Sequence, residues 1–412
     1  MSEINDWTND IHRGDAADTL AELPESSIHM CMTSPPYFGL RDYGVAGQIG
    51  LEDELDEYIA ELVEVFREVR RVLRPDGSAW LNLGDSYASK PVGNYNGGET
   101  HAYSDDRDEA HASSGQVDKS EASGLARKNK MLVPHRVAIA LQEDGWIVRN
   151  DVTWAKPNPM PSSVKDRLNT TTEQVFHLVP EPDYWYDLDA IREKHAASSY
   201  ERDEYGGRRN YASENYGHGT DPMGGGANEN MNYHPAGKNP GDVFEVTTKP
   251  FPEAHFAVYP PELVEKPLKA TCPPKVCAEC GSPYERDVER ESITDAGRSD
   301  DAQYVESGTR EEKDAHRQLG GNYQEALENR DVVMKGWTPT CDCDTDATEA
   351  GIALDPFAGA GTTALVAKRH GRRFVGIDLN EEYVAMAQKR LGLTVDHPEH
   401  VREEGQAGIE MW

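Results

Sequence analysis

The stretch Ile352–Thr363, with the sequence IALDPFAGAGTT, decides the fold class of this chain. Its apolar start has the composition of a buried strand, its glycines predict a tight turn, and a helix is predicted to follow at 364–370. The next apolar run, Phe374–Asp378, has the sequence FVGID and ends in a carboxylate. A strand, a glycine turn, a helix and a second strand predict an α/β fold in which a ligand can approach the turn closely.

This arrangement indicates a site for a nucleotide-like cofactor. A carboxylate after the second strand can accept hydrogen bonds from both hydroxyls of a ribose. Asp355 before the turn and Asp378 after the next strand strengthen this interpretation. The dinucleotide fingerprint is incomplete, because Ala364 stands in place of its third glycine and no pyrophosphate signature occurs. NAD is therefore the weaker alternative.

Strand-like and helix-like segments alternate along the rest of the chain. Residues 54–73 have apolar side chains at the three-and-four spacing of an amphipathic helix, and a second helix is predicted at 131–141. Strands are predicted at 28–32, 78–83, 146–154 and 175–179. This alternation predicts an α/β fold with a doubly wound, mostly parallel sheet.

The composition is that of an acidic protein with enough apolar residues for a packed core. The 412 residues include 42 basic and 74 acidic side chains, which gives a formal charge of −32, and 37% of the residues are hydrophobic. No run approaches the roughly eighteen apolar residues of a membrane span, and the first ten residues do not resemble a signal peptide. We expect a cytoplasmic protein without a membrane span.

The negative charge should repel nucleic acid, which is itself a polyanion. Either the partner is not a polyanion, or the protein works at molar salt, where the screening length shrinks to about 3 Å. Acidic residues are spread along the whole chain rather than gathered in a tail. This even spread favours a halophilic protein.

A second motif, Thr33–Tyr37 with the sequence TSPPY, follows the strand predicted at 28–32. An ordinary turn is one interpretation, since paired prolines end a parallel strand. A chemical interpretation is that the rigid dipeptide aims the Ser34 hydroxyl and the Pro35 carbonyl at one point, while Tyr37 offers a face to a planar ring. This geometry suits an exocyclic amino group, because hydrogen bonds to its protons help to localise a lone pair that is delocalised into the ring.

In this order, the two motifs resemble those of the amino-methylating DNA methyltransferases of the β arrangement. In that family the catalytic motif precedes the target-recognition region, and the S-adenosylmethionine motif lies near the C-terminus. Further similar stretches lie at 14–15, 70–77, 82–87, 154–158, 249–257 and 261–264. The resemblance implies a Rossmann-like methyltransferase fold, S-adenosyl-L-methionine as cofactor and double-stranded DNA as partner.

The resemblance also implies which residues form the site. Asp378 is expected to bind the ribose and Asp15 the adenine amino group of the cofactor. His255 is expected near the cofactor pocket, with a surface imidazole as the alternative. Asp85 could serve either the site or a turn. The catalytic set is Ser34, Pro35, Pro36 and Tyr37, and the cofactor-binding set is Asp15, Asp355, Phe357, Gly359, Gly361, Thr362, Asp378, Phe251 and His255.

The first catalytic residue separates members of the family, since serine mostly accompanies cytosine N4 and aspartate or asparagine mostly adenine N6. Ser34 therefore favours cytosine N4 in a short DNA site, with base flipping and direct in-line transfer. Adenine N6 is the alternative, and carbon-5 methylation is excluded because no Pro-Cys dipeptide occurs. An RNA methyltransferase and a non-catalytic zinc protein that binds nucleic acid are further alternatives.

Some chains of this build in halophilic archaea look like solitary modification enzymes that act on short palindromes such as CTAG, which is one expectation for the target. A restriction endonuclease partner is the alternative to a solitary role. The sequence leaves the target, the partner and the oligomeric state open.

Four of the six cysteines form two close pairs, Cys277-x-x-Cys280 and Cys341-x-Cys343, and Gly281 follows the first pair directly. Four thiolates fill the tetrahedral coordination of zinc and leave no position for water. The pattern predicts a structural zinc that closes an inserted ribbon. Cys272 is expected to be spare and Cys31 to be a buried strand residue.

These features divide the chain into six segments. They are the catalytic half at 1–190 with a loop insert at about 91–124, the target-recognition region at 191–240, the cofactor-pocket segment at 241–270, the zinc-ribbon-like segment at 271–345 with a polar loop at 285–335, the S-adenosylmethionine-binding half at 346–392, and a polar tail at 393–412.

Overall fold

The computed structural model describes residues 2–90, 117–194, 236–249, 258–290 and 332–393. Several predicted features lie wholly or largely outside these ranges. They are the loop insert, the target-recognition region, Phe251, His255, the polar loop of the cysteine segment and the polar tail.

The described part of the chain contains one large sheet and two small ones. Its strands are β1 (Asp10–Arg13), β2 (Ile28–Thr33), β3 (Leu73–Leu83), β4 (Ile147–Ala155), β5 (Thr172–Val179), β6 (Val243–Glu245), β7 (Val276–Cys277), β8 (Tyr284–Arg290), β9 (Val332–Pro339), β10 (Thr348–Glu349), β11 (Ile352–Asp355) and β12 (Arg373–Asp378). The large sheet has the order β1-β12-β11-β2-β3-β5-β4-β6.

The large sheet is mostly parallel, as predicted. Parallel pairing joins β1 to β12, β12 to β11, β11 to β2 and β2 to β3. β5 runs antiparallel to both β3 and β4, and β6 is parallel to β4. The alternation of segments did not indicate the reversed direction of β5. This reversal brings the first residues of β5 to the edge where β3 ends.

Helices cover both faces of this sheet, which makes it doubly wound, as predicted. Apolar residues of three helices pack in one cluster, those of three others pack in a second cluster, and the strands separate the two. The first three helices are Ala16–Glu22, Leu55–Val72 and Val133–Glu143, and the second three are Pro261–Thr271, Thr362–Arg369 and Glu381–Leu391. The described chain also has the short helices Ser2–Asn5 and Lys119–Ala122 and a 3₁₀ turn at Leu188–Ala190.

Successive residues of the central strands divide between the two clusters. Leu81 of β3 packs in the first and Trp80 in the second, while Leu354 of β11 packs in the first and Ala353 in the second. This is the alternation expected of strands buried on both faces. It explains why these strands have nearly continuous apolar sequences.

The sequence Pro75-Asp76-Gly77 predicts a turn after the amphipathic helix, but the structure places it inside β3. β3 begins at Leu73, directly after the helix Leu55–Val72. Its register against β2 shifts between Leu73 and Ser78, so the turn residues form an irregularity in the ladder. The turn signal is therefore local and does not separate two elements.

The chain forms two compact units. The first consists of 1–185, 243–274 and 350–412 and holds the large sheet, and the second consists of 186–242 and 275–349. In the second unit, β7 pairs with β10 and β8 with β9, both antiparallel. The Arg286 guanidinium lies 2.7 Å from the buried Asp187 carboxylate in the same unit.

Candidate active site

A cavity of about 870 Å³ lies in the first unit at the carboxyl ends of the parallel strands. Its walls come from the segment after β2, the turn after β11 and the segment after β12. Ligands of open α/β sheets bind at this edge, because the loops that follow parallel strands converge there. The structure thus brings both motifs of the sequence into one cavity.

Asp355, at the end of β11, holds the two motifs together. It is buried, and its carboxylate accepts hydrogen bonds from Thr33 Oγ1 at 2.7 Å, Tyr259 OH at 2.8 Å and Phe357 N at 3.1 Å. Burial raises the pKa of Asp355. Asp355 lies behind the cavity wall, and its hydrogen bonds join the catalytic segment to the glycine turn.

Tyr259 is a residue of this site that the sequence did not single out. Its hydroxyl bonds Asp355 and lies 2.6 Å from Thr363 Oγ1, which in turn donates to the Met32 carbonyl at 2.9 Å. Burial raises the pKa of Tyr259 well above its usual value, so the phenol remains a neutral donor. Its position between two family-like stretches was the only signal in the sequence.

The glycine turn and Asp378 form one wall of the cavity. Gly359 and Gly361 both have positive φ, at 49° and 68°, which favours glycine. Asp378 accepts hydrogen bonds from Gly359 N at 2.7 Å and Asn380 N at 2.8 Å. Burial raises the pKa of Asp378 to about 6. Of the predicted cofactor residues, Asp378, Gly359, Phe357, Thr362 and Asp15 line the cavity.

Two predicted cofactor residues also have local structural roles. Asp15 caps the helix Ala16–Glu22, since its carboxylate accepts from Ala17 N at 2.9 Å and Asp18 N at 3.1 Å. A Cβ on Gly361 would lie 3.0 Å from Ala387 Cβ, so this glycine allows close packing against the helix Glu381–Leu391. Asp15 thus presents a carboxylate that is already oriented by a helix N-terminus.

The predicted catalytic residues Ser34–Tyr37 all line the cavity. The buried Tyr58 donates to the Pro36 carbonyl at 2.8 Å and so anchors this segment to the helix Leu55–Val72. A Cβ on Gly84 would lie 2.5 Å from Tyr37 Cε2, so the tyrosine ring packs directly on a glycine. The segment is held from both sides.

Three further polar side chains, Asn82, Lys156 and Glu173, line the cavity beside Ser34 and Tyr37. Asn82 and Lys156 lie in the family-like stretches 82–87 and 154–158, whereas Glu173 was not singled out by the sequence. Asp85, by contrast, accepts from Ser86 N at 2.8 Å and Val133 N at 3.1 Å. These two bonds give Asp85 the turn role that was its alternative.

The four paired cysteines come together in the second unit. The Sγ atoms of Cys277, Cys280, Cys341 and Cys343 all lie within 4.8 Å of one another. The Gly281 N–H donates to the Cys277 carbonyl at 2.8 Å, and Gly281 has a positive φ of 74°. Cys31 is buried in β2, as expected.

A family model for N6_N4 DNA methylases matches residues 28–277 and 346–389. The chain belongs to this DNA methylase family. The match includes the catalytic segment and the glycine turn of this DNA methylase, and it passes over 278–345, where three of the four paired cysteines lie.

Individual proteins are similar over most of their length. The type II methyltransferase M.Cfr9I of Citrobacter freundii is 32% identical over 94% of this chain and 89% of its own. M.SfiI of Streptomyces fimbriatus, also a type II methyltransferase, is 35% identical over 91% of this chain and 89% of its own. Among solved structures, PvuII DNA methyltransferase (cytosine-N4-specific) is 16% identical with a TM-score of 0.47, over 96% of this chain and 88% of its own.

Among the residues that the structure describes, no helix has both the length and the apolar character needed to cross a membrane.

The change Tyr259→Phe tests whether Asp355 organises the site. It removes one of three donors to a buried carboxylate, so we expect a loss of about 1–3 kcal/mol in the free energy of unfolding, measured by urea denaturation. Tyr87→Phe, the same change outside this cluster, should cost less than about 0.5 kcal/mol. Equal losses in the two variants would contradict the role given to Asp355.

Proposed function

We propose that the protein is an S-adenosylmethionine-dependent DNA methyltransferase that modifies the N4 amino group of cytosine in a short site. The observation that carries this proposal is the cavity in which Ser34 and Tyr37 face the glycine turn and Asp378. Membership of the DNA methylase family supports the reaction class. The type II methyltransferase relatives support a modification enzyme of a restriction–modification type.

The residues of the cavity fit this cofactor. Asp378 keeps a lone pair on each oxygen for ribose hydroxyls, and Asp15, Phe357, Gly359 and Thr362 line the same space. The positive φ values at Gly359 and Gly361 favour glycine, and because glycine has no side chain a ligand can lie close to the backbone of the turn. When bound, S-adenosylmethionine supplies an electrophilic methyl group on a sulfonium.

The chain's own residues would orient the nucleophile. A cytosine flipped out of the duplex would place its ring against Tyr37 and its amino group at the Ser34 hydroxyl and the Pro35 carbonyl. Holding the amino nitrogen in line with the methyl group replaces a bimolecular encounter by an oriented one. Serine in the first catalytic position supports cytosine, and adenine N6 is the second candidate because every other motif serves either base.

The acidic composition supports work at high salt. Phosphate contacts lose affinity as salt rises, so such an enzyme would depend more on base-edge and stacking contacts. The proposed target-recognition region at 191–240 is rich in Tyr, Asn and Arg, residues that stack on bases or read their edges. A role beside a restriction endonuclease and a solitary role both agree with these features.

The base assignment is tested by the product. The purified protein is incubated with unmethylated DNA and labelled S-adenosylmethionine across ~0.2 to 3 M KCl, a range set by the screening argument. After digestion to nucleosides, mass spectrometry should find the label in N4-methylcytosine, with activity retained at molar salt. Label in N6-methyladenine would reject the cytosine assignment, and loss of activity at molar KCl would reject the halophilic one.

The pKa of Asp378 predicts a pH dependence of cofactor binding. Ribose hydroxyls donate to the ionised carboxylate, and its pKa lies near 6. Affinity for S-adenosylmethionine should therefore rise about tenfold from pH 5 to pH 7.5 and then level off, as measured by titration calorimetry. Asp378→Asn should bind more weakly at all pH values. If Asp378→Asn kept the wild-type pH profile of cofactor binding, the titrating group would be a residue other than Asp378.

We further propose that the four paired cysteines hold a structural zinc. Their sulfur atoms lie within mutual reach of one ion, and a four-thiolate set is characteristic of structural zinc. The glycine turn after Cys280 brings the Gly281 N–H to the Cys277 carbonyl, which shapes the loop of the first pair. The ion would join the two cysteine pairs and so stabilise this part of the second unit.

Metal analysis of the purified protein tests the zinc site. Mass spectrometry should find about one zinc per chain, since four protein ligands complete a tetrahedral site. The double variant Cys280→Ser/Cys343→Ser should lose the metal and unfold at a lower temperature, while Cys272→Ala, at a cysteine in the first unit, should keep it. Full zinc content in the double variant would reject these ligands.

A further inference from the structure

A polar cluster stands beside the catalytic segment and has no role in the function proposed so far. We call Asn82, Lys156 and Glu173 the Glu173 cluster. Asn82 lies near the end of β3, Lys156 directly follows β4, and Glu173 lies at the start of β5. Because β5 is antiparallel to β3, its first residues reach the edge where the catalytic segment lies.

The hydroxyls of the catalytic segment form a chain that ends at Glu173. Ser34 Oγ donates to Tyr37 OH at 3.3 Å, and Tyr37 OH donates to Glu173 Oε2 at 2.8 Å. Since the Ser34 proton is directed at Tyr37, the lone pairs of the Ser34 oxygen are left to accept a proton from a substrate. The two hydrogen bonds are thus donated in the same direction, from Ser34 beside the reacting group towards the Glu173 carboxylate.

Asn82 fixes this chain from one side. Its Nδ2 lies 3.2 Å from Ser34 Oγ, 3.0 Å from Tyr37 OH and 3.1 Å from Glu173 Oε2, so its two protons are shared among these three oxygens. Asn82 is buried, and its Oδ1 has no hydrogen-bond partner among the described residues. A buried amide with a free acceptor is costly.

Lys156 fixes the chain from the other side. Its ammonium donates to Glu173 Oε1 and lies 4.4 Å from the centre of the Trp154 ring. The Lys156 and Glu173 side chains are only 19% and 16% exposed. Burial and the Glu173 carboxylate raise the pKa of Tyr37 well above its usual value, so its phenol stays neutral and donates.

We propose that Glu173 is a positioning residue that orients Ser34 through Tyr37 and takes up the proton that the methylated amino group loses. As the nitrogen–carbon bond forms, the carbon–sulfur bond of the sulfonium breaks and its electron pair stays on sulfur. The nitrogen becomes cationic and passes a proton to Ser34 Oγ, the Ser34 proton passes to Tyr37, and the Tyr37 proton passes to Glu173, which becomes neutral. The proposal rests on amino-group methylation but serves cytosine and adenine equally.

The test is the single-turnover rate of methyl transfer at saturating DNA and cofactor. Glu173→Gln keeps the size of the side chain and removes its charge, so we expect the rate to fall about 100- to 10,000-fold, as when general acid–base help is lost. Dissociation constants for S-adenosylmethionine and DNA should stay within about twofold of wild type. Glu68→Gln, which removes the acid of an ion pair with Arg71 on the helix Leu55–Val72, should leave the rate unchanged.

A double-mutant cycle separates this role from a general structural one. In a Tyr37→Phe background the chain is already cut, so Glu173→Gln should cause no further loss. If Glu173→Gln does not fold because it leaves Lys156 unpaired, the neutral pair Lys156→Met/Glu173→Gln should show the same rate loss.

A wild-type rate in Glu173→Gln, or an equal loss with and without Tyr37, would overturn the relay while leaving the methyltransferase function intact. Absence of label in DNA with the wild-type protein would overturn the proposed function, and the relay with it.

Discussion

The buried carboxylate of Asp355 is the constraint on which the rest of the site depends. A charge inside a protein must be satisfied by donors, and here the donors come from three separate parts of the chain: Thr33, Tyr259 and the Phe357 N–H. Thr33 and Asp355 are 322 residues apart in sequence. Satisfying one carboxylate therefore fixes the catalytic segment and the glycine turn relative to each other.

The sequence was sufficient for features that have a local pattern. The glycine turn, the amphipathic helix at 55–72 and the TSPPY segment each depend on residues close in sequence, and the structure places both motifs in one cavity. Tyr259 and Glu173 could not be found in this way, because each is a single polar residue whose role arises from hydrogen bonds to residues far away in the sequence. The direction of β5, which brings Glu173 to the site, also has no local signature.

The cavity does not share the charge of the whole molecule. Its lining holds three cationic side chains, Arg41, Lys156 and Lys249, and three carboxylates, Asp15, Glu173 and Asp378. The chain as a whole carries a formal charge of −32. The acidic excess therefore lies elsewhere on the protein, where it can keep a surface hydrated without opposing a polyanionic substrate at the reacting centre.

The second unit is made from two segments that are separate in sequence, 186–242 and 275–349. The backbone passes between the units at 185/186, 242/243, 274/275 and 349/350. This unit cannot be exchanged by replacing one continuous stretch of sequence, because one of its two segments would then be left without the other. Any chimera that transplants it must replace 186–242 and 275–349 together.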